Sequence, residues 1–186
     1  MIVESKGIKK DKYYIPPFEL RSGELVVIHL SGGIHYSDLK TELIDIFTGK
    51  VKNDYVNIFQ PLTFVEYFKE SVFRRLFYPV TVSQYLKKNA NSKSDFAIKI
   101  YEVESISKKT KLNTLTFNSV KTLCLYSTLS KTNDILFDLA GQDPKGAEEI
   151  YQIVKESIKN GGSAILIDWA DDMKNDCTKF ISIEWT

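Results

Sequence analysis

The sequence predicts an α/β protein in which a mostly parallel sheet is covered by helices. Three observations lead there. Short apolar runs at residues 25–30, 135–137 and 164–167 have the length of strands, and the last suits burial on both faces. The segments 37–47 and 146–159 carry apolar residues three and four apart, the helical period. Each apolar run ends in residues that stop a strand: Ser31-Gly32-Gly33, Asp138 and Asp168. Strands alternating with helices in this way favour a parallel sheet.

In chain order, Gly23-Glu24 opens the first strand, Leu25-Val26-Val27-Ile28-His29-Leu30. Leu39, Leu43, Ile46 and Phe47 then mark a helix, with Ser37 as its N-cap and Thr48-Gly49 as its end. Residues 63–77 read as a helix, a second begins at Thr81, and residues 89–94 form a polar loop. Val120, Leu123, Cys124 and Leu129 set a helix over 116–130. Ile135-Leu136-Phe137 is a buried strand closing on Asp138. Ala147, Ile150, Ile153, Val154 and Ile158 define a strongly amphipathic helix, stopped by Gly161-Gly162. Residues 180–185 alternate and read as an edge or terminal strand.

With 186 residues, 43% of them hydrophobic, the chain suits one well-cored domain, 1–186. Its 25 Lys+Arg stand against 24 Asp+Glu, so no global field marks a nucleic-acid binder. The basic clusters Lys9-Lys10-Asp11-Lys12 and Lys108-Lys109-Thr110-Lys111 read as solvated loops. Cys124 and Cys177 lack metal-type spacing, and His29 and His35 form no triad, which points to a reduced cytosolic protein without a bound metal. Charges at Glu4, Lys6, Lys9 and Lys10 occupy the place of a secretory h-region, and no apolar run approaches the roughly 20 residues that cross a bilayer.

Three segments, in order, resemble the ATP-binding cassette (ABC) ATPases. Residues 134–146, Asp-Ile-Leu-Phe-Asp-Leu-Ala-Gly-Gln-Asp-Pro-Lys-Gly, look like that family's Walker B strand running into the D-loop. The next helix, the Gly161-Gly162 break and Ile165-Leu166-Ile167 match the family's succeeding elements, with Asp168-Trp169 at the place of the switch histidine. Residues 18–28 look like the lead-in to a Walker A loop, and Lys40-Thr41 falls on its Lys-Ser/Thr pair. Leu115-Thr116-Phe117-Asn118-Ser119 takes the position of the Leu-Ser-Gly-Gly-Gln signature. Residues 77–82 resemble the stretch after the Q-loop, and 13–14, Tyr-Tyr, sit near the adenine-stacking aromatic. The resemblance implies a P-loop NTPase-like fold with a reduced helical and signature region at about 77–130.

The departures from that family bear on chemistry. A phosphate loop needs glycines that turn backbone N–H groups onto phosphates, and here none adjoins Lys40, while Asp38 adds negative charge. Leu139 replaces the glutamate that polarises water, and a leucine accepts no proton. Phe117 and Asn118 replace the signature glycines, Trp169 the histidine, and no Q-loop glutamine is assignable, Gln60 preceding the helix expected before it. The resemblance therefore implies no catalytic residue. Lys40, Thr41 and Asp138 are its nucleotide and magnesium candidates, with ATP and magnesium held weakly at most and no cofactor certain. Gln142, Asp143, Phe117 and Trp169 are its D-loop and interface candidates. The residues alone allow plainer readings: Lys40-Thr41 solvated on a helix, Asp138 capping a turn, Asp143-Pro144 a turn pair.

The function so implied is a degenerate cassette, non-hydrolysing or weakly nucleotide-binding, paired with an ABC-type ATPase domain or a membrane permease. It would be cytoplasmic and peripheral to the membrane through that partner. A divergent ATPase and a nucleotide-free structural or regulatory protein are the alternatives.

Overall fold

The computed structural model describes residues 1–31, 36–103, 106–169 and 171–185. Its strands, in chain order, are β1 (Val3–Ser5), β2 (Ile8–Lys9), β3 (Tyr13–Ile15), β4 (Phe18–Leu20), β5 (Leu25–His29), β6 (Val56–Ile58), β7 (Thr63–Phe64), β8 (Asp134–Phe137), β9 (Ser163–Asp168), β10 (Lys179–Ser182) and β11 (Glu184–Trp185). The helices are α1 (Tyr36–Phe47), α2 (Val72–Phe77), α3 (Val82–Asn89), α4 (Phe96–Lys99), α5 (Phe117–Leu129) and α6 (Pro144–Lys159). The chain forms two units. One holds Met1–Phe64, Asn133–Ala140 and Ile153–Thr186; the other holds Val65–Thr132 and Gly141–Gln152.

The first unit contains every strand named above. Its centre is a five-stranded parallel sheet in the order β10-β5-β9-β8-β7. Val26, Val27, Ile28, Ile135, Leu136, Phe137, Ala164, Ile165, Leu166 and Ile167 are all buried, which is why these strands read as continuous apolar runs. Register pairs Ile28 with Ile167 and Phe137 with Leu166, so the carboxyl ends of β5, β8 and β9 lie side by side. Helix α1 buries Leu39, Leu43, Ile46 and Phe47 in the same apolar cluster as Val26, Ile28, Ile165 and Ile167. Each such side chain contributes about 1.5–3 kcal/mol of burial. Gly49, at φ 74°, ends the helix in the left-handed conformation a Cβ disfavours.

The N-terminal sixty residues, joined by β11 from the other end of the chain, add two small antiparallel sheets that the sequence pattern does not predict, β4-β1-β6 and β11-β3-β2. The stretch 180–185 is accordingly not one strand. Lys179–Ser182 lies parallel to β5, the Ile183 N–H donates to the His29 carbonyl, and Glu184–Trp185 pairs with β3. Two other expectations are corrected. Helix α1 starts at Tyr36, so Ser37 lies inside its first turn, where its carbonyl accepts the Thr41 hydroxyl at 2.9 Å. Residues 63–77 do not form one helix: Thr63–Phe64 is a strand beside β8, and the helix begins only after Ser71, whose hydroxyl accepts the Arg74 N–H. Neighbouring β8 recruits the β-branched and aromatic pair into the sheet, overriding local propensity.

The second unit is helical. Thr81 and Gln84 form a capping box at α3, and the Thr116 hydroxyl accepts the Ser119 N–H at the start of α5. Val120, Leu123, Cys124, Leu125 and Leu129 of α5 are buried. The Tyr85 hydroxyl donates to the Cys124 thiol at 3.4 Å, and Phe68 meets Tyr85 edge to face. Helix α6 starts at Pro144, two residues earlier than the apolar pattern indicates. Asp143 caps it, its carboxylate accepting the Gly146 N–H at 2.8 Å, with proline at the first helical position.

Candidate functional site

Open α/β sheets build their sites beyond the carboxyl ends of the strands. In the first unit those ends carry Asp138 after β8, Asp168 closing β9, and α1 after β5. Gly32, Gly33, Ile34 and His35, where the resemblance places the phosphate loop, lie outside the described residues. Lys40, one turn into α1, reaches Asp138: the ammonium lies 2.6 Å from the carboxylate, with side chains only 16% and 7% exposed. The other Asp138 oxygen accepts the Ala140 N–H. Lys40 and Asp138, the two residues to which the resemblance assigns phosphate and magnesium, are thus paired with each other. Thr41, exposed, spends its hydroxyl proton on the Ser37 carbonyl.

The sequence draws attention to Trp169, yet its neighbour Asp168 is the residue built into the site. Asp168 is 2% exposed, and its two oxygens accept the N–H groups of Leu139 and Trp169 at 2.8 and 2.7 Å. Its position at the end of an apolar run is the available signal. Tyr36 stands beside these carboxylates with its hydroxyl buried and without a hydrogen-bond partner. Burial, and then the charges of Asp168 and Asp138, push its phenol above the ordinary tyrosine range, so it remains a neutral donor. The Lys40 ammonium lies 5.8 Å from its ring centre. Leu139, where the family has its glutamate, is buried. Trp169 is 62% exposed, so it is not core packing; its carbonyl meets His29 Nε2 at 2.9 Å.

The second unit gathers the other candidates. The Phe117 ring stacks on Tyr67, centroids 4.2 Å apart and planes 10° from parallel, and it also closes on Gly141. Asn118 donates to Asp143 at 2.8 Å, and that bond, after the Gly146 N–H, holds the Asp143 carboxyl below its usual range. Both side-chain polar atoms of Gln142 are buried and without a partner. Signature-position and D-loop-position residues are therefore tied to each other. Reading 63–77 as a helix hides one feature: no glutamine occurs between Gln60 and Gln84, and Glu66, an exposed carboxylate, comes soon after β7. Gln60 instead donates to Asp134 at the foot of β8.

A parallel sheet with a lysine-bearing helix after one strand and an aspartate closing another defines a P-loop NTPase-type fold. Solved structures narrow it. The chain superposes on an ABC transporter ATP-binding protein from Pyrococcus furiosus with a TM-score of 0.72 at 19% identity, covering 98% of this chain and 97% of that one. CbiO1 from Clostridium perfringens, part of the CbiONQ transporter complex, gives 0.69 at 17%, covering 98% and 84%. A bacterial ABC transporter cassette solved as a dimer gives 0.63 at 16%, covering 99% and 98%. No protein-family profile and no curated sequence matches the chain. The fold is that of the ABC transporter ATP-binding cassette.

Proposed function

We propose that this chain is a cassette-fold subunit that does not hydrolyse ATP by the family's route and acts through contacts with a membrane permease or an active ATPase. The Lys40–Asp138 ion pair carries this reading. The two residues that would meet phosphate and magnesium satisfy each other in a largely buried setting, so a ligand must first break that pair. The residues do not otherwise fit ATP and magnesium: Leu139 supplies no base, Phe117 and Asn118 supply no glycine N–H cradle, and Asp168 faces backbone donors. The contact residues on this reading are exposed Trp169 in the first unit and, in the second, Phe117 with Gln142 and Asp143 beside it. A groove of about 390 Å³ in the second unit, lined by Tyr67, Phe68, Glu70, Arg75 and Leu115 among others, suits a partner's short helix.

The divergent-ATPase reading has one observation in its favour: Lys40 and Asp138 do lie together, as such a site requires. Phosphate release from magnesium–ATP separates the two. The expected result is background turnover, unchanged in Asp138→Asn. Turnover well above background that Asp138→Asn abolishes establishes the ATPase instead.

A further inference from the structure

Helix α2 exposes apolar surface on a scale that a solvated helix does not. Val72, Phe73, Leu76, Phe77 and the adjoining Tyr78 are between 64% and 75% exposed. At 100° per residue, Val72, Leu76, Phe73 and Phe77 fall within about 140° of arc, and Arg74 and Arg75 fill the remainder. The Phe73 and Phe77 rings lie 4.9 Å apart, a continuous aromatic ridge. None of these four apolar residues is among those named for the neighbouring groove of the same unit, and each is about two-thirds or more exposed, so the ridge faces solvent.

Charge lies beside the ridge. The second unit carries 13 Lys+Arg against 8 Asp+Glu, whereas the first carries 12 against 16. The segment with Lys108, Lys109 and Lys111 is fastened along the residues just after α2. The Asn113 amide donates to the Arg75 carbonyl, the Leu112 N–H to the Val80 carbonyl, and the Val82 and Ser83 N–H groups to the carbonyls of Thr110 and Lys108. All three lysines are exposed, and no ion pair to them is found among the described residues. Arg74 leans towards Glu70 at 3.9 Å.

We infer that α2 and the adjoining lysine loop form a direct docking surface for an anionic lipid bilayer. Aromatic and aliphatic side chains on one arc enter the headgroup boundary, while arginines at its edges and the lysines beside it meet lipid phosphates. A solvent-facing ridge suits a yielding lipid surface; a protein partner's helix fits the separate groove. This surface is independent of what the Lys40–Asp138 site does, and it requires no permease.

The test is co-sedimentation of the full chain with vesicles of phosphatidylcholine alone, or of phosphatidylcholine doped with phosphatidylglycerol. The expected result is binding at least about tenfold stronger to the anionic vesicles, weakened by salt. Phe73→Ser/Phe77→Ser and Lys108→Gln/Lys109→Gln/Lys111→Gln should each lose about tenfold or more while melting at the parent temperature, since all five side chains are exposed. Equal partition to both vesicle types, or binding untouched by either variant, overturns the inference. So does a chain that stays off lipid yet loses binding to a purified permease in the phenylalanine variant, which would give the ridge to a protein. Background ATP turnover is unaffected by any of these outcomes.

Discussion

The two units fill their cassette-like stations in opposite ways. In the first, charge is cancelled by charge and by backbone: Lys40 against Asp138, and Asp168 against the N–H groups of Leu139 and Trp169. In the second, the stations are filled by shape: the Phe117 ring lies on Tyr67 and Gly141, and the Asn118 amide holds Asp143. The difference teaches where each region is fragile. Buried charge that loses a partner is costly, because nothing else solvates what remains. A half-exposed ring or amide that is lost is replaced by water at small cost.

Asp168→Ala should give the largest effect. It strands two donors against a buried sheet end and should cost about 3 kcal/mol of unfolding free energy in a denaturant titration. Asp168→Asn, which keeps one carbonyl acceptor, should lose less than half as much. An unchanged midpoint in Asp168→Ala breaks the contrast between the units, because it would make the first unit's polar lock unnecessary.

The two ends of α6 sharpen the comparison. A Cβ on Gly162 would stand 2.7 Å from the Asn133 carbonyl oxygen and 3.0 Å from that of Ser157, both backbone atoms that cannot yield. Gly162→Ala should therefore cost about 1–3 kcal/mol. The three atoms nearest a Cβ on Gly146 all belong to the Asn118 side chain, which can rotate away at the loss of its exposed bond to Asp143. Alanine also favours a helix over glycine by about 1 kcal/mol, so Gly146→Ala should be near neutral in thermal melting.

The smallest effect is one of rate. Burial raises the Cys124 thiol above its ordinary range, outweighing the Tyr85 hydroxyl, the Phe68 backbone and the Lys121 charge that lower it. Cys177, in the first unit, is only partly buried. Maleimide labelling and mass spectrometry should therefore find Cys177 modified first, and Cys124 only as the second unit opens. Faster labelling of Cys124 would show that α5 is less secure than its packing implies.

The parallel sheet is legible in the sequence because its strands are buried on both faces and carry unbroken apolar runs, as at Ile135-Leu136-Phe137. Helices α1, α5 and α6 are legible from their period, and the apolar run stopping at Asp138 marks that aspartate as a candidate through the family resemblance. Thr63-Phe64 is not, since a two-residue edge strand has no period and takes its state from β8. The small N-terminal strands are two or three residues long and equally mute. At the site, the Lys40–Asp138 pairing needs three-dimensional placement. Asp168 is masked by Trp169, whose size suggests an interface while the buried carboxylate holds the backbone in place.

The central proposal is that the residues which the family resemblance assigns to nucleotide are closed on themselves. Calorimetric titration of magnesium–ATP into the full chain and into Lys40→Ala tests it most directly. The account predicts no saturable micromolar binding to the wild type and no difference that depends on Lys40. Saturable micromolar binding to the wild type that vanishes in Lys40→Ala would contradict it, because the lysine would then be gripping phosphate rather than Asp138.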